Sequence, residues 1–148
     1  MTERVRGRRG AADTAPLGGV VQEIRTDEDV VRVRQLVRSA AVAAKLSLVD
    51  QTKIVTAASE LARNTLVHGG GGRVEIEYVK GDHRTGLRLA FTDEGPGIAD
   101  VDLALADGYS TSSGLGLGLS GARRLVDEFE LETEPGRGTV VRAVKWQR

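Results

Sequence analysis

The sequence has no cysteine in its 148 residues. That absence excludes a disulfide scaffold, a thiolate metal site and a cysteine nucleophile. Aromatic residues are scarce, with one Trp, two Tyr and two Phe. So few cannot build a run of base-stacking platforms. There is no excess of either charge: 21 Lys and Arg stand against 21 Asp and Glu. A dedicated nucleic-acid binder is usually basic, so no direct nucleic-acid partner is expected. No apolar run approaches the roughly 20 residues that cross a bilayer. The basic start MTERVRGRRG leads into AADTAPLGG, which is not an apolar signal core. The expectation is a cytoplasmic protein without a membrane partner, and the length suits one domain.

Glycine, by contrast, is abundant: 19 residues, where about 7% of a chain is ordinary. Residues 1–19 combine several glycines with Arg4, Arg6, Arg8, Arg9 and Pro16. They read as a disordered basic tail ahead of a single domain over 20–148. Within that domain, VVQEIR (20–25) reads as a strand. Thr26 and Asp29 form a capping pattern, and Val30, Val33, Val37, Ala40 and Ala41 follow at helical spacing. Ser47 and Asp50 repeat the pattern for a second helix, which HGGGG (68–72) ends near Val67. Residues 73–80 and 87–92 alternate apolar and polar as an antiparallel hairpin. A loop follows, then a helix from about Leu115–Leu119 to Phe129, then strands over 129–134 and 138–146. The order β-α-α-β-β-loop-α-β-β predicts an α+β fold. It would be a two-layer sandwich, its mostly antiparallel sheet covered by helices on one face.

The later glycines fall in three groups, DEGPG (93–97), GLGLGLSG (114–121) and GRGT (136–139). Glycine lets backbone N–H groups approach a ligand closely, so three groups suggest a site that wraps a phosphate-bearing ligand. Read singly, each group is also compatible with a plain turn. No Walker P-loop is present. Gly116, Gly118 and Gly121 match a dinucleotide fingerprint, but GYSTSS precedes them where a strand is needed. The kinase HRD and DFG elements are absent as well. On the second helix, Glu60 and Asn64 lie one turn apart, and Thr56 and His68 extend the row. A carboxamide oxygen suits Mg²⁺, and a carboxylate can orient or deprotonate a hydroxyl. A solvated glutamate and a helix-terminal asparagine remain the plainer alternative, and for His68 the plainer alternative is a cap on helix carbonyls.

In this order, Glu60–Asn64, Asp93–Gly95–Gly97, Gly114–Gly116–Gly118 and Gly138–Thr139 resemble the N, G1, G2 and G3 boxes of the GHKL (Bergerat-fold) ATPase superfamily. The resemblance spans about residues 20–146. Within the superfamily, four stretches are most similar to the small switch serine/threonine kinases of bacterial stressosome and partner-switching modules. They are VDQTKIVTAASELARN (49–64), DEGPGI (93–98), DGYSTSSGLGLGLSGARRLVDEF (107–129) and AVKW (143–146).

The resemblance implies the cofactors ATP and Mg²⁺. Asp93 would accept the adenine amino group, with Thr139 assisting, while Gly95 and Gly97 turn beside the base. Asn64 would hold Mg²⁺ and Glu60 would be the catalytic base. Gly114, Leu115, Gly116, Leu117 and Gly118 would present backbone to the phosphates. Ser110 and Thr111 would belong, with Tyr109, to a mobile lid. Arg123 or Arg124 is a candidate for the γ-phosphate cation. The implied partners are STAS-domain antagonist or scaffold proteins, as substrates, and a PP2C-type phosphatase. Two alternatives stay open: an anti-sigma factor kinase that binds a sigma factor directly, and a non-catalytic ATP-sensing module.

Overall fold

Both long helices start at the caps written into the sequence. A computed structural model describes residues 3–6, 15–105 and 119–148. In it α1 (Asp27–Ala43) begins at a reciprocal capping box. The Thr26 hydroxyl accepts the Asp29 N–H at 3.2 Å, and the Asp29 carboxylate accepts the Thr26 N–H at 3.1 Å. Such a cap is worth about 1 kcal/mol. α2 (Leu48–Val67) begins at Ser47, whose hydroxyl accepts the Asp50 N–H at 3.1 Å. Here the reciprocal bond does not form, because the Asp50 carboxylate turns to Lys145. The expected stripes are buried: Val30, Val33 and Val37 on α1, Ile54, Ala58 and Leu61 on α2.

The strands are β1 (Glu3–Arg6), β2 (Ala15–Ile24), β3 (Gly72–Gly81), β4 (Arg84–Asp93), β5 (Glu128–Glu134) and β6 (Gly138–Trp146). They form one sheet in the order β1-β5-β6-β4-β3-β2, with every neighbouring pair antiparallel. Two short helices, α3 (Val101–Ala104) and α4 (Leu119–Leu125), complete the order. Leu87, Leu89 and Phe91 of β4 share one core with α1, α2 and α4. This is the expected α+β two-layer arrangement. The opposite face carries charge pairs: Arg88 meets Glu77 at 2.8 Å, and Arg142 bridges Glu130 and Glu132. On that face Val79, Val144 and Trp146 make a small second core, with Arg84 4.9 Å over the indole ring.

Three boundaries differ from the sequence reading. Two stretches of the N-terminal segment read as tail are strand: Glu3–Arg6 pairs with β5, and β2 begins at Ala15, ahead of Val20. They cover edges of β5 and β3 whose N–H and C=O groups would otherwise lack ladder partners, a need to which composition is blind. The hairpin turn is tighter than residues 81–86, narrowing to Asp82 and His83, with His83 at φ 59°. The third helix stops at Leu125, not Phe129.

Asp127 explains the early stop. Its N–H donates to the Val144 carbonyl at 2.9 Å, and its carboxylate accepts the Trp146 N–H at 2.7 Å. Lys145, 3% exposed, lies between Asp50 at 3.4 Å and Asp127 at 3.2 Å. Arg148 reaches both carboxylates from the surface. Burial pushes the Asp127 carboxyl up, but the Trp146 N–H, Lys145 and Arg148 together outweigh it and hold the group below the ordinary value.

Lys145→Met leaves the buried Asp50 and the half-buried Asp127 with Arg148 as their one shared cation among the described residues. Breaking a buried ion pair costs about 3–5 kcal/mol, and the surviving Arg148 puts this variant near the lower end. Urea unfolding measures it, and a loss below about 1 kcal/mol, the level of an exposed pair, contradicts the account.

Candidate functional site

Strands β4, β6 and β5 contribute one lateral row of polar residues. The register pairs Asp93 with Thr139 and Thr139 with Thr133. All three are buried. They face the helices, because Phe91, Val141 and Leu131, two residues along each strand, belong to the main core. Side chains directly opposite across a pair lie about 5 Å apart at Cβ, so the row is continuous.

The Asp93 carboxylate accepts the Gly95 N–H at 2.9 Å. Burial raises its pKa above the ordinary carboxylate value, against the pull of the Gly95 N–H, the His68 charge and the Thr139 N–H. Two glycines make this dry setting possible. A Cβ on Gly69 would lie 2.3 Å from the Asp93 carboxyl carbon. A Cβ on Gly138, which holds φ +116°, would lie 2.1 Å from the Asp93 carbonyl oxygen. Only glycine allows both approaches.

The DEGPGI loop is bolted to the β5–β6 turn. The Gly136 N–H donates to the Pro96 carbonyl at 2.9 Å, and the Ile98 N–H donates to the Thr133 hydroxyl at 2.9 Å. From the helical side, His68 caps α2, and its Nε2 lies 3.1 Å from the Gly97 carbonyl oxygen. A carbonyl only accepts, so Nε2 carries the proton in this contact. His68 thus binds the carbonyl of a distant loop as well as ending its own helix.

On α2, Asn64 sits one turn before His68, and its carbonyl accepts the N–H groups of His68 and Gly69. The Asn64 side chain is buried, yet its carboxamide has no hydrogen-bond partner among the described residues. A buried unpaired carboxamide is costly unless a ligand completes it. Glu60, one turn earlier, is half-buried. Among the described residues no cluster of three His, Asp or Glu forms a metal cage. A lone hard oxygen from Asn64 fits Mg²⁺, which commonly takes few protein ligands and keeps its waters and the phosphates of a bound nucleotide.

The structure thus brings Asp93, Gly95, Gly97 and Thr139 together and sets the Asn64 end of α2 against them through Gly69. Ser110, Thr111, Gly114, Leu115, Gly116, Leu117 and Gly118 lie outside the described residues. Thr133, which joins the loop to the turn, and Gly69, which backs Asp93, lie outside the motifs that mark the site in the sequence. A signal for Thr133 existed: in FELETE the apolar positions 129 and 131 point inward, so a threonine at 133 is a polar group aimed into the core.

The raised pKa of Asp93 has a measurable sign. A carboxyl that binds its proton more tightly in the folded state detracts from stability above its folded pKa. That penalty disappears as pH falls below the unfolded value. Wild-type protein free of nucleotide therefore gains stability relative to Asp93→Asn as pH falls from 7 toward 4. Parallel stability curves for the two proteins contradict the assignment.

Comparison with known proteins agrees with the geometry. Residues 49–147 match the model of the histidine kinase-, DNA gyrase B-, and HSP90-like ATPase family. The chain is 46% identical over 125 residues to the serine/threonine-protein kinase RsbT of Bacillus subtilis, covering 84% of this chain and 94% of that one. It is 32% identical over 116 residues to the anti-sigma F factor of a Thermoanaerobacter species, covering 72% and 79%. A similar factor from Caldanaerobacter subterraneus is 31% identical over 115 residues, again covering 72% and 79%. A family match over two thirds of the chain, on the strands and helix that assemble this site, makes the chain a member of the histidine kinase-, DNA gyrase B-, and HSP90-like ATPase family, whose domain binds ATP.

Proposed function

We propose that this chain is an ATP-dependent serine/threonine protein kinase of a bacterial partner-switching pathway. Its substrates are STAS-domain antagonist or scaffold proteins, and once released from them it activates a PP2C-type phosphatase. The observation that carries the reading is the 46% identity to a serine/threonine-protein kinase over 84% of the chain. The half-buried Glu60, one turn from the unpartnered Asn64, supports it.

The roles follow from the chemistry of each group. Asp93 accepts a hydrogen bond from the adenine amino group, and its fixed carboxylate repels the carbonyl that guanine carries there. Gly95 and Gly97 let the loop turn beside the base. The family resemblance assigns the phosphates to the backbone of 114–118 and a lid to Ser110 and Thr111, all outside the described residues. The Asn64 oxygen would hold Mg²⁺, which would supply neutralisation of phosphate charge. Glu60 takes the proton from a substrate serine or threonine hydroxyl. The hydroxyl oxygen forms a bond to the γ-phosphorus, the bond to the β-phosphate bridging oxygen breaks, and ADP leaves with those electrons.

The anti-sigma F factors at 31–32% identity favour a second reading, in which the chain binds a sigma factor directly. The short stretch between Asp107 and Gly114 and the AVKW ending argue for the switch-kinase reading. Incubating the chain with labelled Mg-ATP and either STAS proteins or sigma factors separates the two. The switch-kinase reading predicts phosphoserine or phosphothreonine on a STAS protein and no capture of a sigma factor. Sigma-factor capture, with or without STAS phosphorylation, points to the second reading.

Glu60→Gln is expected to lower phosphotransfer about 100-fold or more, the scale of a general base, while ATP still binds. Full transfer activity in this variant removes Glu60 from the chemistry. Asn64→Ala is expected to abolish the magnesium dependence of ATP affinity, measured by titration with and without the metal. An undiminished magnesium effect rules Asn64 out as the ligand.

A further inference from the structure

Thr133 is 1% exposed, and its hydroxyl has three polar neighbours among the described residues. The Ile98 N–H donates to it at 2.9 Å, the Gly138 carbonyl oxygen lies at 3.2 Å, and the Thr139 hydroxyl lies at 3.0 Å. A hydroxyl has one proton and two lone pairs. Ile98 occupies one lone pair, which leaves one lone pair and the proton for the other two neighbours. The Gly138 carbonyl can only accept, so it takes the proton. The remaining lone pair can then be filled only if Thr139 donates its own proton. One assignment alone completes all three bonds.

The consequence falls on Thr139. Its proton is committed to Thr133, and its oxygen has no other partner among the described residues. It therefore stands as an acceptor only, directly across the β4–β6 pair from Asp93. Two acceptors, one charged and one neutral, would then meet whatever sits beside Asp93. They suit a purine bearing an amino group at position 6. They oppose a purine with an oxo group there, because an oxo oxygen needs a donor.

We propose that Thr133 is a positioning residue that locks the Thr139 hydroxyl as an acceptor and so sharpens selection of 6-amino over 6-oxo purine nucleotides. The proposal rests on the reading of Asp93 as the residue that faces the base. Without the Thr133 hydroxyl, Thr139 is free to rotate and donate to an oxo group. Selectivity falls by that route even though Thr133 never touches the nucleotide.

The test compares dissociation constants for ATP and inosine triphosphate in the full chain, with thermal unfolding as a check on folding. Thr133→Val is expected to shrink the preference for ATP about fivefold to tenfold, the scale of one net hydrogen bond. Thr133→Ser keeps the hydroxyl and is expected to keep the wild-type ratio. A purely structural role would weaken both nucleotides equally and leave the ratio unchanged, which overturns the proposal. If Thr133→Val does not fold, Thr139→Val carries the test: it removes the oriented acceptor and is expected to reduce the same ratio, and an unchanged ratio overturns the proposal. Wild-type protein that binds both nucleotides equally overturns the Asp93 reading, and the proposal with it. Intact wild-type selectivity with an unchanged variant ratio overturns the proposal alone.

Discussion

The buried carboxylate of Asp93 is the constraint around which the site is arranged. Burial opposes its charge, and the groups that answer are the Gly95 N–H, His68 and the Thr139 N–H. Each of them sits on a different segment. The site therefore exists only when the end of α2, the loop after β4 and the start of β6 are assembled together. The two glycine approaches, Gly69 from the helix and Gly138 from β6, show how little slack that assembly has. A methyl group on either would push the carboxylate or its strand away. Thr133 adds a third strand to the same row and ties it to the loop at Ile98.

The far end of the sandwich is anchored by a different device. Lys145 neutralises Asp50 from the start of α2 and Asp127 from the start of β5, and the Trp146 N–H completes Asp127. This fixes where α2 begins relative to β6. Since α2 is one continuous helix, its start also sets the height of Glu60, Asn64 and His68 at its other end. Glycine-mediated close contact at one end and a buried charge cluster at the other together hold α2 over the sheet.

Much of this was legible in the sequence, for local reasons. The capping box at Thr26, the cap at Ser47, the apolar stripes and the alternating strands depend on near neighbours, and each appears where the pattern predicted it. Glu60 and Asn64 share a helical face because of helical spacing alone. What was illegible depends on residues far apart in sequence. The third helix stops at Leu125 because Asp127 bonds to Val144 and Trp146, and no local signal at Asp127 announces those partners. The Asp50 carboxylate leaves the expected capping box for Lys145 for the same reason. Pairing of Glu3–Arg6 with β5 depends on an edge that local composition does not describe. Thr133 was the nearest miss, since its inward register position was readable but its partners Ile98 and Thr139 were not. The glycine excess divides by position. Gly69 and Gly138 are close-approach sites at one carboxylate, while Gly136 simply forms a turn at φ +81°.

The most direct measurement is a crystal structure of the full chain with a non-hydrolysable ATP analogue and magnesium. The account predicts the adenine amino group within hydrogen-bond distance of the Asp93 carboxylate and the metal bound to the Asn64 carboxamide oxygen. Adenine seated away from Asp93, or a metal held without Asn64, would contradict it.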